Sequence, residues 1–148
     1  MTEVSQKLVV PVSCAIIEKD GRILVAQRSH LGSLPLKWEF PGGKVEEGET
    51  DDQALIREIM EELAIRVVIQ DRLEITKRDD GWREIALVPF VCSLPDGQKI
   101  VLNEHEQMRW LSRDEYFSVD WAEADLKVLH SYLTYIDEKT GNNLRANP

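Results

Sequence analysis

The chain is short of basic residues, has few cysteines and contains no long apolar run. Its 148 residues carry 18 Lys and Arg against 27 Asp and Glu, a net charge of -9. That deficit argues against holding duplex nucleic acid through a cationic face, because Lys and Arg neutralising phosphates dominate such affinity. A polyanionic ligand would have to bring a cation with it. No apolar stretch approaches the ~18 residues needed to cross a bilayer, and Met1 to Lys7 lacks the basic start and apolar run of a secretory signal. A cytoplasmic protein without membrane contact is therefore expected. The two cysteines, Cys14 and Cys92, each lie in an apolar, strand-like run and form neither a disulfide framework nor a zinc spacing. Both are expected to be reduced core residues. No internal repeat and no Pro/Gly/Ser-rich linker divides the chain, and its length suits one core.

Hydrophobic residues make up 43% of the sequence, enough to build that core. Strands are expected at Leu8 to Ile17 and Ile23 to Ala26, joined by an Asp20-Gly21 turn, and again at Leu73 to Arg78, Ile85 to Cys92, Lys99 to Leu102 and Gln107 to Leu111. Pro89 lacks an N–H, so its strand is expected at an edge or with a bulge there. A helix should follow Thr50, which forms a capping box with Gln53, and Asp51 and Asp52 suit the positive end of its dipole. Ser112 with Glu115 predicts a short turn, and Asp120 with Glu123 a further helix start. The last helix is expected over about Trp121 to Ile136, where Ala122, Leu126, Leu129, Leu133 and Ile136 recur at helical spacing. Residues 1–137 then form a single domain of mixed α/β (α+β) class and 138–148 a tail, frayed from Thr140.

The chemistry concentrates between Gly42 and Ile65. At about 100° per residue, Leu55, Ile56, Ile59, Met60 and Leu63 share one side of the predicted helix, and Glu58, Glu61 and Glu62 share an arc of roughly 100° on the other. Carboxylates three and four residues apart repel one another. Arg57 can pair with one of them, and a hard divalent cation bound through oxygens can neutralise the rest. An isolated acidic run would ordinarily be a solvated surface. Here it follows a strand-like Trp38 to Phe40 and a Gly42-Gly43 pair, where a backbone group can approach a metal or phosphate closely.

The spacing is also distinctive as a whole. Gly43, five residues, Glu49, seven residues and then Arg57-Glu58-Ile59-Met60-Glu61-Glu62-Leu63-Ala64-Ile65 resembles the signature of the Nudix hydrolases, which act on a nucleoside diphosphate linked to another moiety. Ala64 stands where that signature has a glycine, a change that bears on helix termination and leaves the charged positions intact. The segment from Ile23, with Gln27-Arg28 and Trp38-Glu39-Phe40-Pro41-Gly42-Gly43, resembles the MutT-like branch. The resemblance implies an α/β/α sandwich whose mixed central β-sheet is flanked by the signature helix and a C-terminal helix. It implies Mg²⁺, with Mn²⁺ as a substitute, held by Glu58, Glu61, Glu62 and the carbonyl of Gly42 or Gly43, with Glu49 and Arg57 orienting the carboxylates.

Glu104 stands where the branch carries a further carboxylate for metal or water and is preferred to Glu106. Either Glu58 or Glu104 would serve as the base. Arg28, Glu39 and Asp125 are expected to face the substrate. Asp125 falls within about 40° of the axis of the last helix's apolar stripe, a costly place for an unpaired carboxylate. His105 is taken as an exposed loop residue, and His30 and His130 are assigned no role. The implied reaction is hydrolysis of a nucleoside triphosphate, oxidised or otherwise non-canonical (8-oxo-dGTP or a CTP/dCTP-like nucleotide), to monophosphate and pyrophosphate. The alternatives are another diphosphate, such as the 5′ end of RNA, and a silent nucleotide-binding module. Monomer and homodimer both remain open.

Overall fold

The computed structural model describes residues 7–146, and of 141–146 only the backbone. Eight strands and two helices follow in the order β1 (Leu8–Lys19), β2 (Arg22–Gln27), β3 (Trp38–Glu39), β4 (Gly42–Lys44), α1 (Asp51–Leu63), β5 (Val68–Arg72), β6 (Thr76–Asp79), β7 (Arg83–Ser93), β8 (Gln107–Leu111) and α2 (Glu123–Ala146). A 3-10 turn at Arg113–Glu115 precedes α2, and there the Ser112 N–H donates to Glu115 Oε1 at 2.9 Å.

One mixed sheet organises the molecule. Its spine runs β3-β2-β1-β7-β5, with β8 on β2, β4 on β1 and β6 on β7. The long β1 and β7 pair in parallel, and the remaining pairings are antiparallel. Because successive side chains point to opposite faces of a strand, β1 sends Cys14 and Ile16 to one side and Ala15 and Ile17 to the other. The first side packs on Ala124, Val128, Leu129 and Tyr132 of α2, and the second on Leu55, Ile59 and Leu63 of α1. Strands sandwiched between two helical layers are the α+β arrangement expected. Both cysteines are buried and free, and among the described residues no helix is long and apolar enough to cross a membrane.

Local chemistry explains most element ends. Asp20 and Gly21 both take positive φ (52° and 76°) in the β1-β2 hairpin, as a tight turn between twisted strands requires. At the start of α1 the Thr50 hydroxyl accepts from Gln53 N–H at 3.3 Å while Thr50 N–H donates to the Gln53 side chain at 3.0 Å. The other end of α1 is closed by Ala64 in the left-handed region (φ 59°, ψ 34°), its N–H donating to Met60 O. A β-carbon there costs about 1 kcal/mol relative to glycine. An Ala64→Gly variant is accordingly expected to be more stable by about 0.5–1 kcal/mol in urea unfolding; an unchanged or lower midpoint would contradict the strain.

Four expectations are corrected. The Lys99–Leu102 segment is not a strand, because backbone donors there and at Asn103 are used on the C-terminal carbonyls of α1. Val101 N–H donates to Leu63 O and Asn103 N–H to Glu62 O, each at 3.0 Å, and the Asn103 side chain donates to Glu61 O at 2.8 Å. These bonds satisfy carbonyls that a helix C-terminus leaves unpaired. Val68–Arg72 forms β5, which the apolar pattern did not single out, and the strand expected from Leu73 begins only at Thr76. Pro89 lies in a central strand. Its carbonyl accepts from Leu73 N–H, so its missing donor faces the break between β5 and β6 and costs the β1 ladder nothing. Finally, α2 starts at Glu123 and its backbone stays helical to Ala146, where the apolar spacing placed the helix over about Trp121 to Ile136; Asn147 and Pro148 lie outside the described residues.

Candidate active site

Strand β4 and helix α1 meet at the glycine pair. A β-carbon on Gly42 would lie 2.0 Å from Ser13 O, and one on Gly43 would lie 2.2 Å from Glu58 Cδ. Only glycines allow β4 to pass this close to β1 and to the Glu58 carboxylate.

Arg57 organises the acids on one side. Its Nε and Nη2 donate to the two oxygens of Glu49 at 2.6 and 2.9 Å, Nη1 donates to Glu58 at 2.8 Å and to Glu61 at 3.2 Å, and Nη2 also reaches Lys44 O. Such a fork fixes geometry as well as charge. The guanidinium, helped by the Glu46 N–H, holds the Glu49 carboxyl down at about 2, and Glu49 and Glu58 in turn push the Arg57 pKa up.

Glu62 is in a different position. It is 8% exposed and accepts from Gly42 N–H at 3.2 Å. Burial first, then the nearby charges of Glu104, Glu39 and Glu58, push its carboxyl up to about 9 against that single hydrogen bond. Glu61 stays largely in solvent with its side chain 55% exposed. Among the described residues no three ligand side chains already converge on one point; Glu58 and Glu61 are both paired with Arg57. The donor set nevertheless suits a hard divalent cation: carboxylate oxygens, a glycine backbone free of side-chain crowding, and a buried carboxylate facing other negative charges.

Glu62 and the glycine pair border a cavity of about 450 Å³, whose wall also includes Glu104, Arg28 and Asp125. Asp125 is buried and accepts from Phe40 N–H at 3.0 Å. Burial, and next the charge of Glu39, raise its carboxyl to about 8, opposed by the Phe40 hydrogen bond and by Arg28. Glu39 bridges two partners, accepting from Arg28 Nη1 at 2.6 Å and lying 2.9 Å from His105 Nε2. Cys14 also lines the cavity, but burial and then Asp125 push its thiol up, so it is no nucleophile.

The structure thus brings Arg28, Glu39, Gly42, Gly43, Glu62, Glu104 and Asp125 to one cavity, with Glu58 against Gly43 and with Glu49 and Arg57 behind it. Glu61 reaches the group only through Arg57. Glu106 is separated from Glu104 by its partner: it accepts from the His30 N–H at 3.0 Å and pairs with the His30 ring. His105 corrects the sequence reading, since its side chain is buried at 4% exposure and borders the cavity. Its partner Glu39 lies 66 residues away, and no local pattern signals such a contact. Arg78 and Arg83 also line the cavity and were not singled out; they flank Asp79 and Asp80 in what reads as an ordinary polar hairpin.

The NUDIX domain family model matches residues 7–132. The chain belongs to the Nudix family. A CTP pyrophosphohydrolase from Escherichia coli K12 is 36% identical over 125 residues, 84% of this chain and 91% of the relative. An 8-oxo-dGTP diphosphatase from Proteus vulgaris is 42% identical over 81 residues, 53% of this chain and 70% of the relative. Among solved structures, the Nudix protein MutT from methicillin-resistant Staphylococcus aureus 252 superposes with a TM-score of 0.72 at 41% identity, covering 88% of this chain and 99% of that one. The Nudix helix is α1, and the protein is a hydrolase of the MutT-like branch.

Proposed function

We propose that this Nudix hydrolase cleaves nucleoside triphosphates to a monophosphate and pyrophosphate with Mg²⁺, and that Mn²⁺ can replace it. The observation that carries the reading is Glu62, a buried carboxylate facing three other acids, in the wall of a cavity that also holds the buried carboxyl of Asp125. Glu58, Glu61 and Glu62, with the carbonyl of Gly42 or Gly43 and Glu104 from its loop, would hold the ion. When bound, it would neutralise phosphate charge and make an attacking water acidic enough to lose its proton.

The remaining roles belong to the chain itself. Arg57, locked by Glu49, fixes the Glu58 carboxylate, and Glu58 or Glu104 accepts the proton of the water. Asp125 contacts the base. Its carboxyl can accept from the exocyclic amine of cytosine or from the N1 and N2 donors of a guanine, so the substrates are oxidised or otherwise non-canonical nucleotides of the 8-oxo-dGTP or CTP/dCTP-like kind. Names of relatives on both sides of that choice, a CTP pyrophosphohydrolase and an 8-oxo-dGTP diphosphatase, support the same set. Arg28 and Glu39 shape the cavity beside it.

The test is a panel of 8-oxo-dGTP, CTP, dCTP, 5-methyl-dCTP and a 5′-triphosphorylated RNA, with pyrophosphate and orthophosphate release followed separately. Pyrophosphate release from a free nucleotide, dependent on Mg²⁺ and abolished by chelation, is the expected result. Orthophosphate alone, preference for the RNA end, or binding without hydrolysis would each overturn it.

A further inference from the structure

The loop that carries Glu104 is anchored at both ends. Val101 and Asn103 hang from the C-terminal carbonyls of α1, and Glu106 N–H donates to Gln27 O at 2.9 Å. Between these anchors stand Glu104, in the cavity wall, and His105, whose ring is buried. A buried imidazole needs a partner for its N–H. Nε2 has one in Glu39 at 2.9 Å, whereas Nδ1 is buried with no hydrogen-bond partner among the described residues. A proton on Nδ1 would be stranded, so the ring carries it on Nε2 and donates to Glu39. Since Nδ1 is out of solvent contact, it is equally out of reach of a ligand.

Glu39 does not end the connection. Its other oxygen accepts from Arg28, and Arg28 donates onward to Ser33 O at 2.8 Å and Ser33 Oγ at 2.9 Å. An unbroken chain Ser33, Arg28, Glu39, His105 therefore joins two loops bordering the cavity and ends one residue from Glu104. We infer that His105 is a positioning residue, whose hydrogen bond to Glu39 fixes where Glu104 stands in the cavity. The role rests on the reading of Glu104 as a carboxylate of the site.

The side chain of glutamine can place a nitrogen close to the Nε2 position, and leucine fills the space without a donor. Expected for His105→Leu is a ~10- to 100-fold fall in kcat with KM changed by less than about twofold, the range typical of residues that orient a ligand group. His105→Gln should recover most of it. In a Glu104→Gln background, His105→Leu should add less than about twofold, because the group it positions is already disabled. Two readouts need no turnover: ¹⁵N NMR of the metal-free protein should show His105 as the Nε2–H tautomer, and amide exchange at residues 104–105 should quicken in His105→Leu and not in His105→Gln. Losses that multiply in the double variant, a glutamine no better than leucine, or an Nδ1–H tautomer would overturn the role. A wild-type protein inactive on every nucleotide would instead remove the proposed activity, with the NMR and exchange results still deciding the positioning of the loop.

Discussion

A Glu58→Gln variant is expected to fold like the wild type and to lose about 10²- to 10³-fold in kcat, the scale seen when one well-placed polar group is removed from a reacting centre. The side chain is held too tightly for the exchange to be neutral. Its carboxyl group lies against the Gly43 backbone, where even a methyl would collide, and one oxygen accepts from Arg57. Glutamine has the same shape and can keep that bond, so Tm should move by only a few degrees while the charge that holds an ion or takes a proton is gone. The Arg57→Ala change should reproduce part of the defect indirectly, since it frees Glu49, Glu58 and Glu61 together; about 10- to 100-fold weaker metal binding by titration calorimetry is expected. Near-wild-type kcat in Glu58→Gln would exclude this carboxylate from the reaction.

The second large effect belongs to Asp125 and has two readings, one in stability and one in base choice. Its carboxyl is raised to about 8, by burial and then by Glu39, whereas in the unfolded chain it would ionise near ~4. Between those values the unfolded chain gives up a proton that the folded protein keeps. Stability therefore declines as pH rises through that window and levels off above it. An asparagine in its place cannot ionise, and the amide oxygen can still accept from Phe40 N–H. The Asp125→Asn variant should match wild type near pH 4 to 5 and exceed it by on the order of a few kcal/mol at pH 8 in urea unfolding with chelator present. Glu62 tilts the profile in the same direction, being raised to about 9; that slope is common to variant and wild type, and their difference at each pH reports Asp125 together with its coupling to the neighbouring carboxyl of Glu39. On the nucleotide panel the same variant should lose about 10- to 100-fold in kcat/KM on the preferred base, the worth of one good base contact. An unchanged order of preference would remove Asp125 from base recognition.

Local chemistry made the helix of the site readable from the amino acids alone. The acids repeat at three and four, the Thr50 box marks the start, and the glycine pair marks the turn, all within one short stretch of chain. Asp125 could be noticed because it interrupts an apolar stripe. What could not be read depended on distant partners. Lys99–Leu102 carries a short apolar run, Ile100 to Leu102, of the kind a strand uses, and only the unpaired carbonyls of α1 decide that its donors go elsewhere. His105 is burdened with the same problem: beside Glu104 and Glu106 it reads as surface, and its burial depends on Glu39 across the cavity. Pro89 suggested an edge because the sequence does not disclose that β5 and β6 part at that position.

The strap from Val101 to Asn103 also determines where this chain can change length. Because Asn103 is tied by main chain to Glu62 and by side chain to Glu61, the gap between the helical acids and Glu104 is set by a single residue step. Extra residues in the exposed turn around Asp96 and Gly97 would be absorbed upstream of the strap. One extra residue between Asn103 and Glu104 would carry the carboxylate about 3.3 Å along the chain, and the loop would keep its shape while its acid no longer met the others.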